Sequence, residues 1–534
     1  MPNPLSIDRT RKTLSELEPP LARAFAAART RDIDEQQVAV ARLADVATKL
    51  RAAQDLAAWA GSAGEPYREQ AAVFAGQVVS EISRLVRDHG AEHGLSAADL
   101  PSDETQAFAR EALAEERVRA IGRAVAAQRG RNDCPLDETL VLTRDAARSF
   151  ADSEVAPHAE RIHRGDELVP EAFIQKMAQL GYFGLSIPEK YGGVEMGNVA
   201  MVITTEELSR ASLAAAGSLI TRPEILAKAL LAGGTEEQKR KWLPKIAAGE
   251  LMVGISVTEP DVGSDVASVK CRAERATQDG VAGWVINGPK AWCTFAGRAD
   301  VLAVLCRTDP DPSKGARGLT LFIVPKTRAL GHEFECVQPG GGRLVGKADA
   351  TPGYRGMHSF TLSFERYFVP AENAVGGDSG VGKGFMLQMG GFAAGRLQTG
   401  GRACGLAQAA LEKTAEYVVD RKQFGKPLID FQLTQYKLGW MATQIAAARA
   451  ITYSAAAAMD EDERKAAPYA SQAKLLACDV AVAVSQEGQL LHGGWGYAEE
   501  YAISRYVVDA QVLPIFEGVK ATLQLKVIGR ALVG

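Results

Sequence analysis

The sequence predicts a mainly α-helical protein with a central β domain. Two observations carry this expectation. Apolar residues recur at helical spacing through both ends of the 534-residue chain. Between them, over about residues 251–370, the pattern changes to short β-branched and aromatic runs parted by Gly, Asp and Pro. Length is a third observation, since single cores stop growing near roughly 250 to 300 residues and two or more domains are therefore expected. The order helices, strands, helices fits neither a doubly wound fold nor an eight-unit barrel, because both alternate strand with helix.

In chain order, residues 1–133 read as a helical extension. Val40, Leu43, Val46 and Leu50 share one helical face, as do Phe74, Val78, Ile82 and Leu85 ahead of Gly90. Pro101-Ser102 restarts a helix, and Asn132, Asp133 and Pro135 mark a linker. A second helical domain is expected over 134–250, where Thr235 and Gln238 have the spacing of a capping box that satisfies free amides at a helix start. The β domain is placed at 251–375, with strands at Trp284–Asn287, Val301–Cys306, Leu319–Val324 and Phe360–Phe364. Residues 376–534 return to long Ala-rich helices.

Bulk properties exclude several classes of function. Lys+Arg 61 against Asp+Glu 65 gives a formal net charge of −4, without the basic excess by which nucleic-acid binders displace counterions. No stretch has the length and apolarity of a signal peptide core or a spanning helix, so a soluble protein in the cytoplasm is expected. Seven cysteines without a CxxC pair, and seven scattered histidines without HExxH, indicate neither a disulfide framework nor a metal centre.

Among motifs, Gly377–Gly384 (GDSGVGKG) matches GxxxxGK, but Gly384 stands where a phosphate loop needs the Ser or Thr that holds Mg²⁺, and it reads as a connector. There is no GxSxG elbow and no strand-bound GxGxxG, which removes support for a serine acyl-enzyme or a nicotinamide site. Two segments are more informative. Val257–Asp265 (VTEPDVGSD) offers amides, hydroxyls and close backbone approach to a ligand. Ile286–Gly297 (INGPKAWCTFAG) follows an Asn-Gly turn with Trp292 and Thr294, although a lone Trp is more often core than a cofactor stack.

Together and in this order, these segments resemble the acyl-CoA dehydrogenase family. The resemblance continues through Asp420–Gln432 (DRKQFGKPLIDFQ), His492–Tyr497 (HGGWGY) and Ile515–Gly518 (IFEG), and covers about residues 137–534. It implies a helical domain, a β-barrel domain and a C-terminal four-helix bundle, FAD as cofactor, and desaturation of an acyl-CoA thioester. Glu517 is implied as the base. Ile255, Val257, Thr258, Gly263, Ser264, Trp292 and Thr294 are implied as flavin contacts, with Ser264 also near substrate. Arg421, Gln423, Phe424 and Gln432 are implied to reach the nucleotide half of FAD across a subunit interface, with Gly493 and Gly494 beside the flavin, so a homodimer or homotetramer follows. An electron-transfer flavoprotein is the implied acceptor. The chain departs from the family at Val519-Lys520, where Thr-Ser is usual, and at Leu490, where Gln is usual and Gln489 lies one place earlier.

The chemistry itself needs little more than a carboxylate and a flavin. An α-hydrogen of a thioester yields to a base within hydrogen-bond reach when the growing oxyanion is stabilised. A carboxylate desolvated by an acyl chain is a stronger base than one in water. The extension, Lys347–Asn373 and Gly391–Gly405 further resemble family members that convert (2S)-methylsuccinyl-CoA to mesaconyl-CoA in the bacterial ethylmalonyl-CoA pathway. Such a substrate ends in a free carboxylate, for which an Arg fork is suited. Arg222, Arg396 and Arg402 are the candidates, with Gly518 beside the thioester. Dehydrogenation of another short branched or dicarboxylic acyl-CoA, an oxidase that uses O₂, and a non-catalytic thioester-binding scaffold are the alternatives.

Overall fold

The structure, a computed structural model, describes residues 5–534. It forms two compact units: Ala147–Gln398, and the residues up to Ala146 together with Thr399–Gly534. Among the described residues no helix is long and apolar enough to cross a membrane. All seven cysteines are buried and no disulfide joins them.

The contiguous unit combines helices with one eight-stranded sheet. Its strands are β1 (Val253–Ser256), β2 (Arg272–Gln278), β3 (Val281–Thr294), β4 (Val301–Arg307), β5 (Leu319–Pro325), β6 (Glu333–Val337), β7 (Arg343–Ala348) and β8 (Ser359–Pro370). Their order is β1-β4-β2-β3-β8-β7-β6, with β5 paired to β4. The barrel expected from the resemblance is this curled sheet. All four expected strands exist, but β3 and β8 are far longer than their sequence signals. Register shifts between Ile286 and Gly288 and between Lys290 and Cys293 break the two-residue alternation that marks a strand.

Strand β4 is buried on both faces, which is why its sequence VLAVLC is continuously apolar. Val301, Ala303 and Leu305 pack with Leu226, Leu230, Leu243 and Ile246 of the helices Thr221–Gly233 and Glu236–Ala247. Leu302, Val304 and Cys306 pack on the other side with Trp284, Phe322, Phe360 and Phe364. The capping box exists as expected, with both Thr235 and Gln238 bonded. Gln238 also donates to the carbonyls of Glu372 and Ala374 and accepts from the Gly376 amide at 2.8 Å, which fixes the chain just before the GxxxxGK connector.

The other unit is helical. The extension contributes the helices Gln37–Ala63, Glu65–His89, Asp103–Ala112 and Glu115–Ala127, and the expected core faces are buried, from Val40 and Leu43 to Ile82 and Leu85. Ser102 caps its helix by accepting from the Thr105 amide. The C-terminal part contributes Gln432–Glu461, Glu463–His492 and Ala502–Ala510. Glu115–Ala127 crosses Gln432–Glu461 backbone to backbone. A Cβ at Gly122 would lie 1.8 Å from the Gln435 carbonyl oxygen, and one at Gly439 would lie 1.9 Å from that of Val118.

The segment read as a linker is packed rather than free. Asn132 is 7 % exposed; its side chain accepts from Gln70 at 3.0 Å and donates to the Ala442 carbonyl at 3.2 Å. Asn and Pro do interrupt the helix there, but the Asn amide satisfies buried groups on two neighbouring helices.

Candidate active site

In the contiguous unit, β1 runs into Val257–Asp265, and a buried ion pair fixes that segment. The Lys290 ammonium, fully buried, donates to the Val257 carbonyl at 2.9 Å and to Glu259 at 3.0 Å. The Glu259 carboxylate also accepts from the amides of Lys270 and Cys271, the latter at 2.7 Å. The Ala291 amide donates to the Thr258 carbonyl at 2.8 Å. Burying two charges is offset only by good geometry and further hydrogen bonds, and here the carbonyl of Val257 and the amides of Lys270 and Cys271 supply them. The result is a loop pinned to β3 that leaves Gly263 and Ser264 exposed and Thr258 half-buried. No atom of the chain would meet a Cβ at Gly263 within 4 Å, so the outer side of this loop is open to a ligand.

Trp292 is directed by the second bulge of β3. Lys290 pairs with Leu362 and Cys293 with Phe360, so two β3 residues stand against the single Thr361. Lys290 and Cys293 thereby both face inward, while Trp292 takes φ 57° and is 59 % exposed. The core reading of this Trp does not hold: it is a large aromatic presented to solvent. Thr294, on the same strand, lies 2.9 Å from the Ser359 hydroxyl. Ile255 is half-buried and Val257 buried.

Arg222 begins the helix Thr221–Gly233 and is 4 % exposed. Its Nη1 donates to the Ser218 carbonyl at 3.3 Å and to the Tyr354 hydroxyl at 3.1 Å. Arg396 is half-buried in the helix Gly384–Asp420.

In the helical unit, Glu517 sits in a closed loop after the helix Ala502–Ala510. The Lys520 amide donates to the Pro514 carbonyl at 3.1 Å, and the buried Lys474 ammonium donates to the Gly518 carbonyl at 2.7 Å. Glu517 has φ 55° and Gly518 φ 100°. A non-glycine residue in the left-handed region persists only where its surroundings fix it, and such residues concentrate at functional sites. Arg402, fully buried, donates to Thr399 at 2.6 Å and lies 4.7 Å from the centre of the Phe516 ring. Lys520, the departure from the family pattern, donates to Asp479 at 2.5 Å and serves the loop rather than a ligand.

Arg421, Gln423, Phe424 and Gln432 are all exposed. Phe424 and Gly425 have φ 53° and 82° at the tip of the hairpin that pairs Gln423 with Lys426, the geometry of a tight two-residue turn. Arg421, His492, Tyr417 and Tyr501 line one cleft of about 380 Å³. His492 stacks on Tyr417 with ring centres 4.3 Å apart, and its Nδ1 donates to the Gly488 carbonyl at 2.7 Å. Burial holds the His492 imidazole below its ordinary pKa. Gly493 and Gly494 follow with open space above them. Gln489 donates to the Gly496 carbonyl at 3.0 Å and closes this turn, while Leu490 is 73 % exposed.

Residues 137–250, 254–367 and 382–533 match the acyl-CoA dehydrogenase N-terminal, middle and C-terminal domains. The chain is 43% identical over 397 residues to the (2S)-methylsuccinyl-CoA dehydrogenase of Cereibacter sphaeroides, across 74% of this chain and 70% of that one. The chain belongs to the acyl-CoA dehydrogenase family. As an acyl-CoA dehydrogenase it is an oxidoreductase whose substrates are acyl-CoA thioesters. It is also similar to the butyryl-CoA dehydrogenase of Megasphaera elsdenii, at 32% identity and a TM-score of 0.68, over 75% of this chain and 100% of that one. A glutaryl-coenzyme A dehydrogenase in complex with glutaryl-CoA is similar at 30% identity and a TM-score of 0.68, over 75% and 97%. The extension lies before the first matched domain of this acyl-CoA dehydrogenase.

Lys290 and Glu259 are the site residues that sequence reasoning missed. Both lie inside the motif segments, but a Lys in a strand reads as solvated, and only the bulge that turns it inward reveals its role.

Proposed function

We propose that the protein is an FAD-dependent dehydrogenase that converts (2S)-methylsuccinyl-CoA to mesaconyl-CoA in the cytoplasm, with Glu517 as the base. The observation that carries the assignment of the base is the closed loop that holds Glu517 at φ 55°. The substrate reading is supported by the 43% identity to the Cereibacter sphaeroides enzyme and by the buried Arg222, whose planar fork suits a carboxylate.

The open side of the Val257–Ser264 loop and the exposed Trp292 suit a large planar group with a diphosphate. By the family resemblance, Thr258, Ser264, Trp292 and Thr294 would hold the isoalloxazine half of FAD, while Arg421, Gln423, Phe424 and Gln432 would reach the nucleotide half of FAD across a subunit interface, with Gly493 and Gly494 beside the flavin. When bound, FAD supplies the two-electron acceptor for the β-hydride. Glu517 takes the α-proton onto its carboxylate, so the substrate loses one proton and one hydride and gains a Cα=Cβ double bond. The Glu517 amide donates to the thioester oxygen as negative charge grows there. Arg222, with the Tyr354 hydroxyl on its fork, receives the distal carboxylate of the substrate. Arg402 steadies Phe516 and through it the base.

Exposed Phe424, Tyr497, Leu433 and Trp495, at 93 %, 88 %, 68 % and 43 %, support a homo-oligomer in which this surface is covered. Electrons pass on to an electron-transfer flavoprotein.

Purified protein should be yellow and should reduce a dye acceptor faster with methylsuccinyl-CoA than with butyryl-CoA, without peroxide. Glu517→Gln should keep the flavin and lower kcat by about 10²–10⁴-fold. Preference for butyryl-CoA would remove the substrate reading, and full activity of Glu517→Gln would remove the base.

A further inference from the structure

Asp166, His332 and His358 take no part in the proposed reaction, and up to 192 residues separate them in sequence. Asp166 follows the helix Ala156–Arg164, His332 precedes β6, and His358 precedes β8. The fold brings one ligand atom from each within 4.8 Å of the others. We propose that these three side chains bind one divalent transition-metal ion of the zinc class, as a two-histidine, one-carboxylate site.

The spacing is that of ligands around a metal. Zinc bonds of about 2.0–2.1 Å in a tetrahedron place ligand atoms roughly 3.3 Å apart. His358 Nε2 lies 3.1 Å from His332 Nε2 and 3.1 Å from Asp166 Oδ1. His332 Nε2 lies 4.0 Å from Asp166 Oδ2. A shift of less than 1 Å by the half-exposed His332 and Asp166 completes the set. Their exposure also gives the ion an entry path and leaves a fourth position for water.

The tautomer of His358 is the second observation. Its side chain is 4 % exposed, and Nδ1 lies 3.3 Å from the Gly356 carbonyl oxygen, which can only accept. Nδ1 therefore carries the proton. Nε2 is then the ring nitrogen that faces a carboxylate oxygen and a second histidine nitrogen, the position a metal ion would take. An Nδ1–H donated to a backbone carbonyl is also the usual way a metal-binding histidine is oriented. Asp166, Tyr354 and His358 have φ 52°, 59° and 48°. Three non-glycine residues in the left-handed region indicate that local packing holds this constellation against backbone preference.

Arg355 is the opposing charge. Its Nε lies 3.5 Å from Asp166 Oδ1 and also donates to the Thr351 carbonyl, while Nη1 donates to the carbonyl of His163. It fixes the carboxylate and weakens the ion's attraction, so micromolar rather than tighter affinity is expected. The bound ion would staple the segment after Ala156–Arg164 to the turn before β8.

The test is equilibrium dialysis of the chelator-treated full-length protein against zinc, with elemental analysis, alongside His332→Ala and Asp166→Asn. Both positions are half-exposed, so the variants should fold. The wild type should retain one zinc per chain and melt a few degrees higher with it, as expected for a ligand that binds only the folded state. Each variant should bind at least tenfold more weakly. No zinc on the wild type, or equal retention by both variants through the buried cysteines, would overturn the site.

Discussion

Lys290 has a fully buried side chain, and its ammonium joins two pieces of backbone through one carboxylate. Replacing it with Met strands the Glu259 charge in the interior. Loss of one partner of a buried pair costs about 3–5 kcal/mol, so Lys290→Met should lower the denaturant midpoint strongly and release flavin, and adding Glu259→Gln should restore part of the stability. Arg222 makes a different kind of prediction. If it receives a distal carboxylate, Arg222→Met should cost about 2 kcal/mol, roughly thirtyfold in kcat/KM, for methylsuccinyl-CoA. It should change butyryl-CoA turnover little, and steady-state kinetics with the two thioesters separate the cases. Legibility at this scale was uneven. The motif neighbours single out Glu517 in the sequence, whereas the burial of Lys290 depends on a bulge and the proton on His358 Nδ1 on a carbonyl, neither of which leaves a periodic signal.

The helix pair Glu115–Ala127 and Gln432–Glu461 meets at Gly122 and Gly439, where a side chain has no room. Gly439→Ala should push the helices apart and destabilise the protein by about 1–3 kcal/mol, read as a lower melting temperature. His93, buried on the extension beside Arg42, adds a pH dependence. Burial and the Arg42 charge push its pKa down to about 4, from 6.5. The native state then binds fewer protons than the unfolded chain between these values, so stability is lost as pH falls from 6.5 to about 4. His93→Gln should flatten that slope in pH-dependent melts. The helices of the extension were legible in their apolar stripes, but a stripe does not say what it faces. Strands with bulges were legible only in part: β3 announced four residues and has 14.

At the scale of the molecule, the extension is built into the helical unit. Asp45 accepts from Gln524 at 2.7 Å, Asp34 from Lys526 at 2.7 Å, and Arg29 donates to the Leu532 carbonyl at 3.1 Å. Extension residues thus bind the segment that follows Glu517. Deleting residues 1–130 should expose the apolar face of Gln432–Glu461 and give aggregated protein, as judged by light scattering. The wild type should elute as a discrete oligomer, and Phe424→Ser should shift it toward a smaller species with loss of flavin. The change of period along the chain marks the switch from helices to strands and back, whereas the joining of its first and last parts in one unit leaves no such mark, because no local pattern encodes a contact over hundreds of residues.

That joining has a consequence for biosynthesis. Ala147–Gln398 is continuous in sequence and can fold as it leaves the ribosome. The helices ahead of it cannot complete their unit until the last residues are made, because their partners lie near the C-terminus. Contacts of such long range form slowly and leave apolar surface uncovered meanwhile. The half-synthesised chain therefore keeps apolar surface uncovered until late, and the segment that carries Glu517 is the last to be placed.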